Sequence, residues 1–315
     1  MRAPFFILIS LFLSTSAFGQ SNLIELVMTG TFAQIEKELI AGTDVNTRNE
    51  YGTTPLLTAI GYSRDIEIIR LLIRYGANVN DQENKERLTP LMAAATLTVD
   101  PQVIQVLLEA GAKVSLRDTA DSDALMMAVA GNRNPEIIKE LLDATPDKID
   151  QVTSDGKTLL MMASESNPNP KVIRTLLDAG QKLEEKDKDG NTPLLLASRH
   201  NVFDVVSTLI RDGARLEERN NNGQTPLMLA CWLNKNPEVI TGLIDLNAKI
   251  DDQDNDGRTP LMYACNLTTV SDVAEILLKA GANTRQRTKK GYTALDYAND
   301  NPNLKETPLL EELSR

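Results

Sequence analysis

The sequence predicts an all-α fold: a solenoid of about nine stacked helix-turn-helix units with β-turn or hairpin tips. Three observations support this prediction. A short motif recurs about every 34 residues, the motif carries the chemistry of a helix start, and apolar residues follow it at helical spacing. A period of this length is typical of repeat arrays, in which one unit cannot bury its apolar face alone and must stack on its neighbours.

The recurring motif is Thr-Pro-Leu followed by Leu or Met. Five clear copies and four degenerate ones give nine unit starts, which lie 33 to 35 residues apart. The starts are Ser21, Thr54, Thr89, Asp123, Thr158, Thr192, Thr225, Thr259 and Thr293. This spacing excludes a conventional two-domain enzyme of the same length.

The unit that begins with Asp187 shows what the period encodes. Residues 187–190 have turn chemistry and end in a Gly that can adopt a positive φ. Thr192 and Pro193 then supply an N-cap and a first helical residue. A second helix is predicted over residues 202–211, where apolar side chains recur on one face, and Gly213 ends it.

Residues 1–19 are predicted to be a cleavable signal peptide. Arg2 gives a positive start, Phe5 to Leu13 is an almost unbroken apolar run, and Ala17 and Gly19 are small residues before the cut. We expect an exported protein, periplasmic or extracellular. An uncleaved anchor is the alternative, although the run is too short for a permanent span and no later stretch approaches the ~20 apolar residues that a transmembrane helix needs.

Beyond the signal segment, three parts are predicted. Residues 20–53 form an N-terminal capping repeat, residues 54–292 form seven internal repeats, and residues 293–315 form a truncated C-terminal capping repeat. The repeat that starts at Asp123 lacks both the motif Pro and the tip Gly. We therefore expect a local irregularity there, such as a bend.

The sequence resembles the ankyrin-repeat family. The resemblance runs from Ser21 to Leu313 and rests on the Thr-Pro-Leu-x-x-Ala motif, the tip Gly, and the Gly-Ala that follows the second helix, as at Gly213. Family repeats often carry His after Thr-Pro-Leu, whereas most units here have Leu or Met, which favours apolar packing at that layer. The resemblance implies a non-enzymatic protein that binds a protein partner on a concave face, through residues that vary between repeats.

The composition excludes several other classes. With 33 Lys and Arg against 44 Asp and Glu, the net charge is −11, and sequence-independent nucleic-acid binding needs the opposite sign. One His and two Cys cannot supply a structural zinc site or a disulfide framework. Cys231 and Cys265 occupy equivalent positions of adjacent units, so we expect buried thiols without a bridge. We expect no cofactor and a monomer.

Two metal-binding patterns define the alternative function, an envelope protein that binds a ligand or metal such as Ca²⁺ or Cu⁺. Residues 252–257 match the opening of a calcium loop, but the twelfth position, which needs Glu, is Tyr263. Seven of the nine Met residues fall in first helices and could attract Cu⁺. Both patterns follow the repeat, which favours turn tips and core filling.

Catalytic residues are not predicted. His200 is the single imidazole, and its position in a loop between helices favours exposure over a shielded pocket. No phosphate-binding Gly loop appears in the sequence.

The candidate partner-binding residues follow the Ala of the first helices, where family members contact their partners. They are Tyr62, Leu97, Arg199, His200, Trp232, Leu233, Asn266 and Leu267, with tip residues such as Tyr51, Arg258 and Tyr292 beside them. Trp, Tyr and Arg are the residue types that most often anchor interfaces. The alternative for Trp232 is that it packs inward against a lengthened loop between helices.

Overall fold

A computed structural model describes residues 23–314 except for residues 64, 235, 268–271 and 305–306, and it leaves out the side chain of Leu267. The predicted signal segment, residues 1–19, lies outside the described residues.

The described residues form eighteen α-helices, which alternate as first and second helices of the repeats. The first helices are α1 (Leu23–Thr29), α3 (Pro55–Thr58), α5 (Pro90–Leu97), α7 (Ala124–Gly131), α9 (Leu159–Ser166), α11 (Pro193–His200), α13 (Pro226–Leu233), α15 (Pro260–Leu267) and α17 (Ala294–Asp300). The second helices are α2 (Phe32–Ile40), α4 (Ile66–Arg74), α6 (Pro101–Glu109), α8 (Pro135–Ala144), α10 (Pro170–Asp178), α12 (Phe203–Arg211), α14 (Pro237–Asp245), α16 (Asp272–Lys279) and α18 (Leu309–Ser314). The predicted all-α repeat fold is confirmed.

The helices begin where the motif predicts. The side chain of Thr192 accepts a hydrogen bond from the N–H of Leu195, and Pro193 follows as the first residue of α11. Second helices have their own caps, such as the side chain of Asn236, which accepts a bond from the N–H of Glu238. Because these signals are local, the sequence alone specifies the helix starts.

The core is a double layer of packed helices. In the part of the chain from α9 onward, each first helix packs on the next first helix and on its own second helix. Leu195, Val206 and Leu209 are fully buried between these layers. Met161 and Met228 are also fully buried, as the core-filling interpretation of the Met pattern predicts. No helix in the described ranges is both long and apolar enough to cross a bilayer.

The chain divides into two compact units. The N-terminal unit comprises the described residues within 1–128 and 136–145, and the C-terminal unit those within 129–135 and 146–315. The boundary falls in the repeat for which the sequence predicts an irregularity. There Asp121 adopts a positive φ of 62° at the tip position that holds Arg87 in the preceding repeat and Gly in the others, and the carboxylate of Asp123 replaces Thr as the cap of Met126. A short 3-10 helix, Pro146–Lys148, follows α8.

The tips are tight turns that bond to their neighbours. Gly190 has a φ of 78°, and a Cβ at this position would lie 2.4 Å from Oδ1 of Asn221 in the next tip. The N–H of Asn221 donates to the carbonyl of Asp189 at 3.0 Å. A Gly is required here because the left-handed backbone and the neighbouring tip both exclude a side chain.

An asparagine ladder, formed by Asn167, Asn201 and Asn234, joins the first helices of the C-terminal unit. Each ladder amide donates to the carbonyl of the corresponding residue in the preceding repeat and to the carbonyl three residues before that one. Nδ2 of Asn201, for example, lies 2.8 Å from the carbonyl oxygen of Ser164 and 2.9 Å from that of Asn167. The ladder therefore satisfies carbonyls at the helix ends that would otherwise be buried without a donor.

Candidate partner-binding cleft

A cleft of about 330 Å³ opens in the C-terminal unit beside α13 and α15. It lies between two successive tips and the ends of these first helices. The lining residues are Asn222, Gln224, Trp232, Asp254, Asn255, Asp256, Arg258, Tyr263 and Asn266.

A buried chain of hydrogen bonds forms the floor of the cleft. Nε2 of Gln224 donates to Oη of Tyr263 at 2.8 Å, and this phenol donates to Oδ2 of Asp254 at 2.6 Å. Burial and the bond to Asp254 raise the pKa of Tyr263 to about 12. Oδ1 of Asp254 accepts the N–H groups of Asp256 and Arg258, both at 2.8 Å. The floor is therefore held rigidly by its own partners.

The floor extends into the two preceding tips. Nδ2 of Asn220 lies 2.9 Å from Oε1 of Gln224 and 3.1 Å from Oδ1 of Asn191. The amide of Asn191 in turn donates to the carboxylate of Asp187 at 3.0 Å. Successive repeats thus share one polar network, which fixes the position of each tip relative to the next.

An aromatic pair forms one wall of the cleft. The ring centroids of Trp232 and Tyr263 lie 5.6 Å apart with an interplanar angle of 39°. Trp232 is half-buried, since one part of the indole packs on Tyr263 while the side chain still lines the cleft. The structure thus places Trp232 between the two predicted alternatives, the solvent-facing anchor and the buried filler.

Arg258 contributes the positive charge of the cleft. Its Nε donates to Oη of Tyr297 at 3.3 Å, and Nη1 lies 3.5 Å from Oδ2 of Asp256. The pKa of Arg258 is raised above its ordinary value, mainly by the hydrogen bond to Tyr297. The guanidinium side chain is 38% exposed and is therefore accessible from the cleft.

Four of the predicted residues of the C-terminal unit line two depressions. Trp232 and Asn266 line the cleft. His200 and Leu233 line a second, shallower depression of about 400 Å³ near the start of α12. Burial, followed by the neighbouring charge of Arg199, lowers the pKa of His200.

The remaining predicted residues lie elsewhere. Tyr62 is exposed and Leu97 is half-buried, and both belong to the N-terminal unit. Arg199 is half-buried, and its Nε has no acceptor among the described residues. Leu267 is the last residue of α15, and its side chain lies outside the described part of the chain.

Comparison with known proteins agrees with this architecture. The family model for ankyrin repeats, which contains three copies, matches residues 23–118, 98–187, 125–220, 166–254 and 233–307. The chain belongs to the ankyrin-repeat family. A Fowlpox virus (strain NVSL) protein named as an ankyrin repeat protein is 46% identical over 39 residues, which are 12% of this chain and 8% of the viral protein. Ankyrin repeats form protein–protein interaction scaffolds, and the family is typically non-enzymatic.

Four equivalent positions of the ankyrin repeats form a variable row along the first helices. The row consists of Glu165, Arg199, Trp232 and Asn266, each five residues after the motif Leu. Glu165, Arg199 and Trp232 each lie two residues before a ladder Asn, so these helix ends carry both a fixed and a variable side chain. The row contains Trp232 and Asn266 of the cleft.

Sequence reasoning missed most of the cleft floor. Gln224 precedes the motif Thr, and Tyr263 occupies a position that holds Leu196 and Leu229 in the neighbouring ankyrin repeats. A phenol where neighbouring repeats have Leu was the available signal. Its partner Gln224 lies 39 residues away, so only the stacked structure identifies the bond.

In residues 252–257, which match the opening of a calcium loop, the carboxylates already bind groups of the protein itself. Oδ1 and Oδ2 of Asp254 accept the bonds of the floor, and Oδ2 of Asp252 lies 2.5 Å from Nη2 of Arg219. The described residues include no group of three or more His, Cys, Asp or Glu placed to hold a metal. Residues 252–257 form a repeat tip, as their spacing predicted.

The two Cys are buried and unbridged, as predicted. Burial raises the pKa of Cys265 to about 12 and that of Cys231 further. Both thiols are therefore protonated at neutral pH, which makes them poor nucleophiles.

Proposed function

We propose that this ankyrin-repeat protein binds a protein partner on the face that carries the cleft, with Trp232 as the principal anchor. The observation that carries the proposal is the open, half-buried indole of Trp232 on a rigid polar floor. Trp is among the residue types that contribute most to interface affinity. A fixed floor also lowers the entropy lost on association.

The chemistry of the cleft supports a protein partner. It combines an aromatic wall with the amides of Asn222, Asn255 and Asn266 and the guanidinium of Arg258. Protein interfaces have this mixture, in which an apolar anchor is surrounded by polar groups that fix orientation. We propose binding without chemical conversion of the partner.

Photocrosslinking tests the location of the interface. A photoreactive residue at position 232 is expected to capture a specific protein in cells, whereas the same residue at Leu246, an exposed position at the end of α14, should not. Capture of the same proteins from both positions would contradict a defined interface at the cleft.

Trp232→Ala tests the anchor once the captured protein is purified. We expect affinity to fall about 30-fold or more, corresponding to ~2 kcal/mol, because an anchoring aromatic side chain is lost. Stability should fall less than for Leu209→Ala, a fully buried control expected to cost ~2–5 kcal/mol. An unchanged affinity for Trp232→Ala would exclude the indole as the anchor.

We also propose that the protein acts in the periplasm or outside the cell. The support is the charge and apolar pattern of residues 1–19. N-terminal sequencing of the protein from fractionated cells is expected to begin at Gln20, in a fraction other than the cytoplasm. A cytoplasmic protein that still begins at Met1 would contradict export.

A further inference from the structure

Two repeats of the C-terminal unit carry a cation at the same position, directly before the Thr of the motif. These cations are Lys157 and Arg258. Each has a tip carboxylate two residues earlier, and the distances match: 3.5 Å from Lys157 Nζ to Asp155 and 3.5 Å from Arg258 Nη1 to Asp256. The two repeats therefore begin with the same local charge arrangement.

The repeats differ eight residues further along, in the variable row. Nζ of Lys157 lies 2.7 Å from Oε2 of Glu165, and the two side chains are only 11% and 22% exposed. The residue that corresponds to Glu165 beside Arg258 is Asn266, which is exposed and uncharged. Lys157 thus has a second carboxylate from its own chain, and Arg258 has a neutral amide in that place.

Among the described residues, Asp256 is the one carboxylate within ion-pairing distance of Arg258, and its side chain is 70% exposed. Its other partners are neutral phenols, Oη of Tyr297 at 3.3 Å and the hydroxyl of Tyr263. A guanidinium in a cleft with these partners retains donors for a carboxylate, which it can bind in bidentate geometry.

We infer that the cleft recognises a glutamate side chain of the protein partner, which takes beside Arg258 the place that Glu165 takes beside Lys157. The inference rests on the proposed function. The amide of Asn266, which lines the same cleft, can donate to the incoming carboxylate, and the aliphatic stem of the glutamate can pack on Trp232. Glu165 shows that a glutamate at this position of a repeat reaches the cation.

The acidic residues of the cleft do not prevent this arrangement. Asp254 is buried, and its carboxyl oxygens already accept hydrogen bonds from the phenol of Tyr263 and from two backbone N–H groups. Lys157 already lies within ion-pairing distance of two carboxylates, those of Asp155 and Glu165. A single cation on this face can therefore pair with two carboxylates at once. The alternative to a glutamate is a Lys or Arg side chain of the partner that stacks on the aromatic wall. The positive charge of Arg258 would repel such a side chain.

Selection of random peptides on the immobilised full-length chain tests the inference. Phage-displayed peptides that bind are expected to share a Glu, and changing that Glu to Gln should weaken binding at least tenfold. With Arg258→Gln, the Glu and Gln peptides should bind equally. Lys157→Gln is the matched control and should leave the difference between the two peptides intact, because Lys157 is already paired with Glu165.

Asn266→Glu provides a second test, because it supplies the missing carboxylate from within the chain. We expect this variant to bind the selected peptides at least tenfold more weakly without a loss of thermal stability, whereas Asn266→Gln should keep most of the affinity. Equal binding by both variants would overturn the inference.

The outcomes separate this inference from the proposed function. Peptides that depend on Trp232 but not on Arg258, or that share a Lys or Arg instead of a Glu, overturn the glutamate inference and leave the proposed interface in place. Peptides indifferent to both residues, or the enrichment of no peptide, overturn both.

Discussion

The asparagine ladder and the variable row occupy the same helix ends and differ in almost every property. From Asn132 to Asn234 the ladder position holds the same residue in each repeat, and every ladder amide bonds to carbonyls of the preceding repeat. Two residues earlier, the variable row changes from Glu165 to Arg199, Trp232 and Asn266. At these helix ends the repeated residue joins the repeats, whereas the row that changes includes Trp232 and Asn266, which line the cleft.

Loss of a ladder amide should give the largest effect. Asn201→Ala is expected to lower the free energy of unfolding by about 2–4 kcal/mol, because two buried carbonyl oxygens lose their donor. Urea denaturation measures this change. Asn266→Ala, an exposed amide of the variable row, is the matched control and should stay within about 0.5 kcal/mol of the wild type. Equal destabilisation by the two variants would remove the distinction between ladder and row.

The cleft floor should behave like the ladder, although it borders the variable row. Tyr263→Phe removes the hydroxyl that joins Gln224 to Asp254 and is expected to cost about 1–3 kcal/mol, because two buried polar side chains lose a partner. Thermal or urea denaturation tests this expectation. If the variant is as stable as the wild type, the floor is not a structural network and belongs with the variable side chains.

The raised pKa of Tyr263 predicts a smaller effect, a loss of stability at high pH, which also tests whether the cleft floor is a structural network. An unfolded phenol deprotonates near pH ~10, whereas the folded pKa is about 12. Between these values the folded state binds the additional proton, so stability is complete below pH ~10 and falls as the pH rises through about 12. Ultraviolet titration of tyrosinate should show a late step that is absent in Tyr263→Phe. The same titration curve for the wild type and this variant at high pH would contradict a buried, bonded phenol.

The fold could be predicted because its signals are local. Thr192 caps α11 with a bond that spans three residues, and Gly190 adopts the positive φ that its turn requires. Helix periodicity also identified which residues follow the buried Ala, and two of these, Trp232 and Asn266, line the cleft. Such features depend on neighbours within one or two turns of the chain.

The cleft floor and the pairing of Arg258 could not be predicted in the same way. The bond from Gln224 to Tyr263 spans 39 residues, and that from Arg258 to Tyr297 also spans 39. Such partners are set by the angle and offset between stacked repeats, which a single repeat does not encode. The ladder is an intermediate case, because Asn recurs at a fixed interval but its acceptors are backbone carbonyls that carry no sequence signal.

The ladder has a direction, and this has a consequence for folding during synthesis. Each ladder Asn donates backward, so the carbonyls of Ser164 and Asn167 have their donor only after Asn201 has left the ribosome. The tips follow the same order, since the N–H of Asn221 donates to Asp189 and that of Asn255 to Asn222. A nascent chain that ends between two of the ladder repeats therefore leaves the carbonyls of its last repeat without their amide donor until the next repeat has been made.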